Sequence, residues 1–304
     1  MTKSKINVSV VATQESLAEL KILRASLEKY HDVTWNFYGD DYVRDYVKGN
    51  FNVDIFIPMD RGEILRKEQE KHPYVTKKLV QGKLVIIEEC LKKFGRVINL
   101  DTDMIFFNPI NEKYLNCPSD ALLTPHYTSS PILQEVGYYN AGMIFLNGFR
   151  FFEKWKEVTL SEKYFYEQKP LEIVKNMNCC DVEEVDGGHN FGTGRRNEGH
   201  YKELKIIGDR LYWRTLPLVN FHLHLFDHDE GYLGKGTIIL QKYLRKNMDR
   251  LNPELTKLLK EEDIFYASWP ARLPAFAARQ ARKRSRLKAL PRRMLQRVFR
   301  PTAD

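Results

Sequence analysis

The segment "VINLDTDMIFF", residues 97 to 107, decides the fold class and the position of the functional site. It begins as an apolar run typical of a buried strand and carries two aspartates, Asp101 and Asp103, one residue apart. In an extended chain, alternate side chains point to the same side, so both carboxylates face one small volume. Two like charges placed in this way repel each other unless a cation lies between them.

The elements before this segment alternate between strand and helix. "INVSVVAT" predicts a first strand and "LAELKILRASLEKY" a helix, and "VTWNFYG" and "VDIFIP" predict two more strands. "KKLVQGKLVIIEECLKKF" predicts a helix that Gly95 ends and that leads into the aspartate strand. This order indicates a Rossmann-like α/β fold, in which ligands bind beyond the carboxyl ends of the strands. The aspartate pair occupies such an end.

Further elements follow the aspartate pair. "DALLTPH", "GYYNAGMIFLNG" and "PLVNFHLH" predict strands. A helix is expected from about Phe151 to Tyr166, and two short helices are expected at "TIILQKYLRKN" and "PELTKLLKEE".

The composition is that of a soluble globular protein. The chain has 304 residues, of which 43% are hydrophobic and 29% are charged. Its four cysteines form no CxxC pair and have no zinc-type spacing to histidine, so we expect reduced thiols in a cytoplasmic protein. The apolar stretch at the N-terminus is too short for a signal peptide, and no apolar run is long enough to span a membrane.

The net charge of +8 comes from the end of the chain. Residues 269–304 contain 11 Lys or Arg and one acid, whereas the rest of the chain is close to neutral. We expect a catalytic domain in residues 1–268 and a basic amphipathic tail in residues 269–304. Apolar residues recur at helical spacing in this tail, and Pro291 divides it, which predicts two short pieces that bind an anionic membrane surface. A disordered solubilising tail is the alternative, and nucleic-acid binding is disfavoured because aromatic residues are not interleaved.

An Asp-x-Asp pair in isolation usually marks a solvated turn. Here apolar residues flank the pair on both sides, and partly desolvated carboxylates require a compensating cation. Carboxylate oxygens suit Mg²⁺ or Mn²⁺, which commonly bridge a carboxylate to substrate phosphates.

A second polar cluster occurs in "VNFHLH". Asn220, His222 and His224 alternate with apolar residues, so they share one face of the predicted strand. An imidazole ligand added to two carboxylates favours Mn²⁺ over Mg²⁺. The alternative is one hydrogen-bonded core histidine and one exposed histidine, and the pattern leaves open which of the two would bind metal.

The segments "VINLDTDMIFFNPI", "YYNAGMIFLN", "EQKPLEIV", "HNFG" and "VNFHLH" occur in an order that resembles GT-A fold glycosyltransferases, in particular glycosyltransferase family 8. The resemblance covers about residues 5 to 235. It implies a GT-A fold with a mixed central sheet flanked by helices. It also implies that Asp101, Asp103 and either His222 or His224 bind the metal ion, and that Lys83 faces the diphosphate of a nucleotide sugar.

The resemblance also assigns residues to the donor. Ala12 and Thr13 would meet the nucleoside base, and Ala141 would line the sugar pocket together with Asn140. "EQKPL" resembles the family's Asp-Gln-x-x-Leu segment, with Glu in place of Asp, so the role of Glu167 departs from the pattern. The implied catalytic residues are Asn140, Glu167 and Gln168. His189 and Asn190 would lie near the donor or acceptor sugar.

These assignments predict a metal-dependent glycosyltransferase of the bacterial surface-glycan type, on the inner face of the membrane. It would move a hexose from a nucleotide sugar, expected to be a UDP-sugar, to a glycan or lipid-linked acceptor with retention. A sugar-phosphate nucleotidyltransferase is one alternative, although "VVATQESLAEL" lacks the Gly-rich basic loop of that class. A nucleotide-sugar-binding protein without turnover is the other.

Overall fold

A computed structural model describes residues 3–59, 73–127, 137–161, 167–192, 200–208, 210–222, 246–249 and 251–261. The strands are β1 (Ser4–Ala12), β2 (His31–Gly39), β3 (Val53–Pro58), β4 (Arg96–Leu100), β5 (Met104–Phe106), β6 (Ala121–Pro125), β7 (Tyr139–Asn147), β8 (Val182–Glu184), β9 (Leu204–Ile207), β10 (Arg210–Trp213), β11 (Leu216–Pro217) and β12 (Asn220–His222). The α-helices are α1 (Leu17–Leu27), α2 (Asp41–Val47), α3 (Pro73–Phe94), α4 (Glu112–Leu115), α5 (Arg150–Leu160), α6 (Gln168–Asn176) and α7 (Pro253–Glu261).

Seven strands form a mixed central sheet in the order β3-β2-β1-β4-β7-β6-β8. The first four of these run parallel, β7 is antiparallel to both β4 and β6, and β6 is parallel to β8. The carboxyl ends of β1, β2, β4 and β6 therefore meet at one edge of the sheet, together with the start of β7. The predicted α/β class with a mixed central sheet flanked by helices is confirmed.

Helices cover both faces of this sheet. Along β4, Ile98 and Leu100 belong to the core cluster that includes α1, whereas Val97 belongs to the cluster that includes α3, α5 and α6. Successive strand residues thus bury their side chains on opposite faces, which is why this strand is apolar almost throughout. Burial on both faces fixes the direction in which β4 delivers Asp101.

A two-stranded antiparallel sheet continues from the aspartate pair. β5 follows Asp103 directly and pairs with β12, so that Met104 lies opposite His222 and Phe106 opposite Asn220. A separate three-stranded sheet has the order β11-β10-β9. The pairing of β5 with β12 bridges more than one hundred residues of sequence and was not predicted.

Several boundaries differ from the sequence-based predictions. The predicted strand "PLVNFHLH" is divided, because Leu218 donates a backbone hydrogen bond to Leu211 in β10 whereas Val219 donates one to Gly188. Helix α5 ends at Leu160, before the predicted end at Tyr166, and Tyr166 lies outside the described residues. Helix α6 was not predicted, and it accommodates Pro170 in its first turn, where no intrahelical N–H bond is lost.

Some predicted features fall outside the described residues. These are His224, residues 237–245 of the helix at "TIILQKYLRKN", and the tail, residues 269–304. The division at residue 268 stays a prediction. Within the part of the chain that the structure describes, no helix combines the length and the apolar character that a bilayer crossing needs.

Gly82, in the interior of α3, sets the distance between this helix and the sheet. A Cβ atom at this position would lie 2.4 Å from ring atoms of Tyr38 on β2. We expect Gly82→Ala to lower the free energy of unfolding by about 1–3 kcal/mol through overpacking. Urea denaturation of wild type and variant measures this difference in the free energy of unfolding. A gain of about 0.5–1 kcal/mol, the usual result for Gly→Ala inside a helix, would contradict the close contact.

The control is a double-mutant cycle with Tyr38→Leu. If the ring causes the clash, the cost of Gly82→Ala becomes smaller in the Tyr38→Leu background. An equal cost in both backgrounds would assign the effect elsewhere in α3.

Candidate metal centre

Three elements deliver three ligand side chains to one point beyond the carboxyl end of β4. Asp101 follows β4, and its backbone N–H donates to the Gly142 carbonyl at 2.9 Å. Asp103 precedes β5, and His222 ends β12 opposite Met104. The β5–β12 pairing therefore sets the histidine beside the second aspartate.

The three side chains offer ligand atoms that lie within 4.8 Å of one another. His222 Nε2 is 3.0 Å from Asp103 Oδ1 and 3.7 Å from Asp101 Oδ2. His222 and Asp103 are buried, whereas the Asp101 side chain is 32% exposed. A cation held here would keep one open side, at Asp101, for a substrate.

The donor set fits a divalent cation. Two carboxylate oxygens and one imidazole nitrogen form a mixed O/N set that Mn²⁺ accepts more readily than Mg²⁺. Of the two histidines that the sequence left open, His222 lies with the carboxylates, whereas His224 is outside the described residues.

Gly142 on β7 leaves room for the histidine ring. A Cβ atom at this position would lie 2.5 Å from His222 Cε1 and 2.8 Å from Asn140 Oδ1. The glycine of "YNAG" thus shapes the centre although it supplies no ligand atom.

Lys83 forms a buried ionic cluster beside the three ligands. Its Nζ lies 3.0 Å from Asp101 Oδ1 and 2.9 Å from Glu167 Oε1, and it contacts the Ala141 carbonyl at 3.4 Å. Burial disfavours the ammonium ion, but the two carboxylates outweigh burial and raise the pKa of Lys83 above its usual value. Burial likewise disfavours the Glu167 carboxylate, and the attraction of Lys83 overcomes it and lowers the pKa of Glu167. Both groups are charged at neutral pH.

Asn140 and Gln168, which the sequence assigned to the site, carry amide side chains. Asn140 Oδ1 accepts a hydrogen bond from the backbone N–H of Gly142 at 2.7 Å. Gln168, the first residue of α6, has its Oε1 2.9 Å from Nε2 of His126, which follows β6. His126 was not identified from the sequence, and its only signal there is a polar residue at the end of the predicted strand "DALLTPH".

Ala12 and Thr13 lie at the same edge of the sheet, at the end of β1. Ala12 is buried and pairs with Gly39. The backbone N–H of Thr13 donates to Ser16 Oγ, and the N–H of Gln14 donates to Asp40 Oδ2. These bonds fix the turn after β1, and the predicted contact with a nucleoside base stays a prediction.

His189 and Asn190 occupy a buried segment alongside β12. His189 Nδ1 is 3.0 Å from Asp186 Oδ1, and its ring packs edge-on against Tyr114. Burial disfavours the Asp186 carboxylate, but its bonds with His189, Tyr114 and a backbone N–H hold its pKa well below the usual range. The Asn190 N–H donates to Asn220 Oδ1 at 3.0 Å. The predicted role of both residues near a sugar stays a prediction.

No protein-family model matches the chain, and no curated protein sequence matches it. In structure the chain is similar to mouse xyloside xylosyltransferase 1 in the apo form, with 12% identity over 72% of this chain and 97% of that chain and a TM-score of 0.46. It is also similar to the galactosyltransferase LgtC in complex with donor and acceptor sugar analogs, with 14% identity, 62% and 76% coverage and a TM-score of 0.41. The glycosyltransferase GlyE of Streptococcus pneumoniae TIGR4 has 14% identity, 81% and 64% coverage and a TM-score of 0.45. These likenesses are too distant to carry a functional argument.

Gly142→Ala is expected to weaken Mn²⁺ binding at least about tenfold, because the new methyl group displaces the His222 ring. Isothermal titration with Mn²⁺ measures the affinity. Gly192→Ala is the matched control, since its Cβ would lie 3.7 Å from the nearest atom, Asn140 Nδ2. Equal Mn²⁺ affinity in both variants would contradict the role of Gly142.

Lys83→Met is expected to lower the free energy of unfolding at pH 7 by about 3 kcal/mol, because it leaves two carboxylates facing each other without a cation. The lowered pKa of Glu167 means that the pair stabilises the fold above the usual carboxyl pKa of 4.5 and loses this effect as the pH falls. The stability difference between wild type and variant should therefore narrow below about pH 4.5. Urea titrations over a pH series measure it.

The control for this prediction is Lys92→Met on the same helix. Lys92 pairs with Glu88 and Glu89 at the surface, where it is 53% exposed. This substitution should leave the stability nearly unchanged. A loss in Lys92→Met as large as in Lys83→Met would show that burial of the Lys83 cluster is not the cause.

Proposed function

We propose that this protein is a metal-dependent glycosyltransferase that transfers a hexose from a nucleotide-diphosphate sugar. The observation that carries the proposal is the convergence of Asp101, Asp103 and His222 beyond the end of β4, with the ammonium group of Lys83 against Asp101. In open α/β sheets this edge is the usual place for a nucleotide ligand. The ordered segments that resemble glycosyltransferase family 8 support the same conclusion.

The chemistry of such a transfer is chiefly charge stabilisation. Cleavage of the bond between the sugar and the diphosphate builds negative charge on the leaving group. When bound by Asp101, Asp103 and His222, Mn²⁺ would act as a Lewis acid toward the diphosphate oxygens. Lys83 stays protonated near neutral pH, because two carboxylates raise its pKa, and it supplies a second positive charge at the same place.

The remaining residues position the sugar. Asn140 and Gln168 offer amide groups, and Glu167 pairs with Lys83, which also contacts Asp101. Within this cluster the Glu167 carboxylate is committed to an ion pair. An amide is a weak nucleophile, so we favour attack by the acceptor hydroxyl on the face that the leaving group vacates, with retention. The bond from C1 to the acceptor oxygen forms as the bond from C1 to the diphosphate breaks, and the leaving diphosphate takes the hydroxyl proton.

We also propose a donor, a metal ion, an acceptor and a cellular location, each from the sequence. The donor is a UDP-sugar, the ion is Mn²⁺, and the acceptor is a surface glycan or its lipid-linked precursor. The basic residues 269–304 bind the anionic inner leaflet, so the enzyme works in the cytoplasm at the membrane surface. The density of positive charge in this segment supports that assignment.

The proposal is tested with UDP-glucose, UDP-galactose, UDP-N-acetylglucosamine and GDP-mannose, each with Mn²⁺ and without acceptor. We expect Mn²⁺-dependent hydrolysis of at least one donor and a rise in melting temperature when it binds. Release of a nucleoside triphosphate in the presence of pyrophosphate would favour a nucleotidyltransferase instead. Binding of a donor without turnover, even with acceptors present, would favour a binding protein.

Asp103→Asn is expected to weaken Mn²⁺ binding at least about tenfold and to abolish Mn²⁺-dependent turnover, because it removes one anionic ligand. Titration of free Mn²⁺ by electron paramagnetic resonance measures the affinity. Asp45→Asn is the matched control, since the Asp45 side chain is 80% exposed on α2. Unchanged Mn²⁺ affinity in Asp103→Asn would refute the metal centre.

A further inference from the structure

The amide side chains of Asn140 and Gln168 are both held by their oxygen atoms. The partner of Asn140 Oδ1 is the backbone N–H of Gly142, and because a backbone N–H can only donate, it fixes which end of the Asn140 amide faces it. The NH₂ group of Asn140 points away from the Gly142 N–H and toward Gly192. A Cβ atom on Gly192 would lie 3.7 Å from Asn140 Nδ2.

Gln168 has the same arrangement with a different partner. Its Oε1 lies 2.9 Å from His126 Nε2, and because an amide oxygen only accepts, this hydrogen bond requires the Nε2–H tautomer of His126. The NH₂ group of Gln168 therefore points away from His126.

Backbone contacts fix the segments that carry His126 and Gln168. The His126 N–H donates to the Tyr138 carbonyl at 2.9 Å, which continues the β6–β7 pairing beyond its last strand residues. Gly137 has a φ of +105°, and a Cβ there would lie 2.8 Å from the carbonyl carbon of Gln168, so only glycine allows this close approach. The start of α6 is thus packed against Gly137, next to the residue whose carbonyl pairs with His126.

An amide whose oxygen is already engaged has two N–H donors left to offer. Such a group recognises acceptors, namely the hydroxyl and ring oxygens of a sugar or the oxygens of a phosphate. Because one lone pair of its oxygen is engaged by a donor, that oxygen is also a poorer nucleophile toward the anomeric carbon.

We propose that His126 is a positioning residue that holds the Gln168 amide by its oxygen, so that Gln168 serves the site as a hydrogen-bond donor. The inference rests on the proposed function for its catalytic consequence, but the contact itself is independent of any substrate. His126 thus holds the Gln168 amide oxygen as the backbone N–H of Gly142 holds the Asn140 amide oxygen. This contact also disfavours a covalent glycosyl intermediate on Gln168.

The contact is tested first by NMR on the protein without substrate. A hydrogen bond to an amide oxygen deshields the carbonyl carbon, so the side-chain ¹³C resonance of Gln168 should move upfield in His126→Phe. It should stay in place in His126→Gln, because the Nε2 of glutamine matches the position of the histidine Nε2. His200→Phe is the control, since His200 begins the short 3-10 helix His200–Glu203 before β9 and packs against Trp213. An unchanged ¹³C chemical shift of the Gln168 side-chain carbonyl in His126→Phe would overturn the proposal. A change seen only in the NH₂ proton resonances of Gln168 would overturn it as well.

The consequence is tested by steady-state kinetics on whichever nucleotide sugar of the donor panel is hydrolysed. His126→Phe should lower kcat about tenfold with the donor KM within about twofold, because the loss of one oriented hydrogen bond affects chiefly the transition state. His126→Gln should stay within about threefold of wild type. An equal loss in both variants, or none in His126→Phe, would refute the positioning role.

The two measurements separate the inference from the proposed function. A wild-type protein that turns over no donor would refute the glycosyltransferase assignment, and the NMR comparison would still decide whether His126 holds Gln168. Conversely, active enzyme with an unmoved Gln168 resonance would refute the inference alone.

Discussion

Mutual repulsion of carboxylates at one strand end is the constraint on which the rest of this structure depends. Asp101, Asp103 and Glu167 lie within one small, largely buried volume, where like charges are costly. Lys83 compensates two of them, because its ammonium group lies between Asp101 and Glu167. The pocket formed by Asp101, Asp103 and His222 keeps an excess of negative charge, which a divalent cation would neutralise.

The fold meets this constraint by closing the site from three directions. β4 brings Asp101, the β5–β12 pair brings His222 to Asp103, and α3 brings Lys83 across the sheet. Two glycines allow the close approach, since Gly142 leaves room for the imidazole ring and Gly82 lets α3 lie against Tyr38. The site thus depends on backbone proximity as much as on the side chains that could bind a metal ion.

Much of the fold could be predicted from the sequence, because the relevant signals are local. The apolar run of β4, the amphipathic pattern of α3 and its end at Gly95 depend on neighbouring residues alone, and each was predicted near its observed position. The division of "PLVNFHLH" could not be predicted, because residues 218 and 219 bond to two different distant segments. His126 was not identified as a site residue for the same reason. Its partner Gln168 is far away in sequence and begins a helix that the pattern did not indicate.

By itself, the sequence determined the α/β class, the carboxylate pair at the end of an apolar strand, and the set of residues that could complete a metal site there. Only the tertiary structure decided which of them meet. It set His222 beside Asp103 through the pairing of β5 with β12, and it turned Glu167 toward Lys83. The reason is physical: alternation and capping act between neighbours in the chain, whereas ligand geometry and charge compensation act between atoms a few ångströms apart in space. Those distances exist only once the strands and helices have packed.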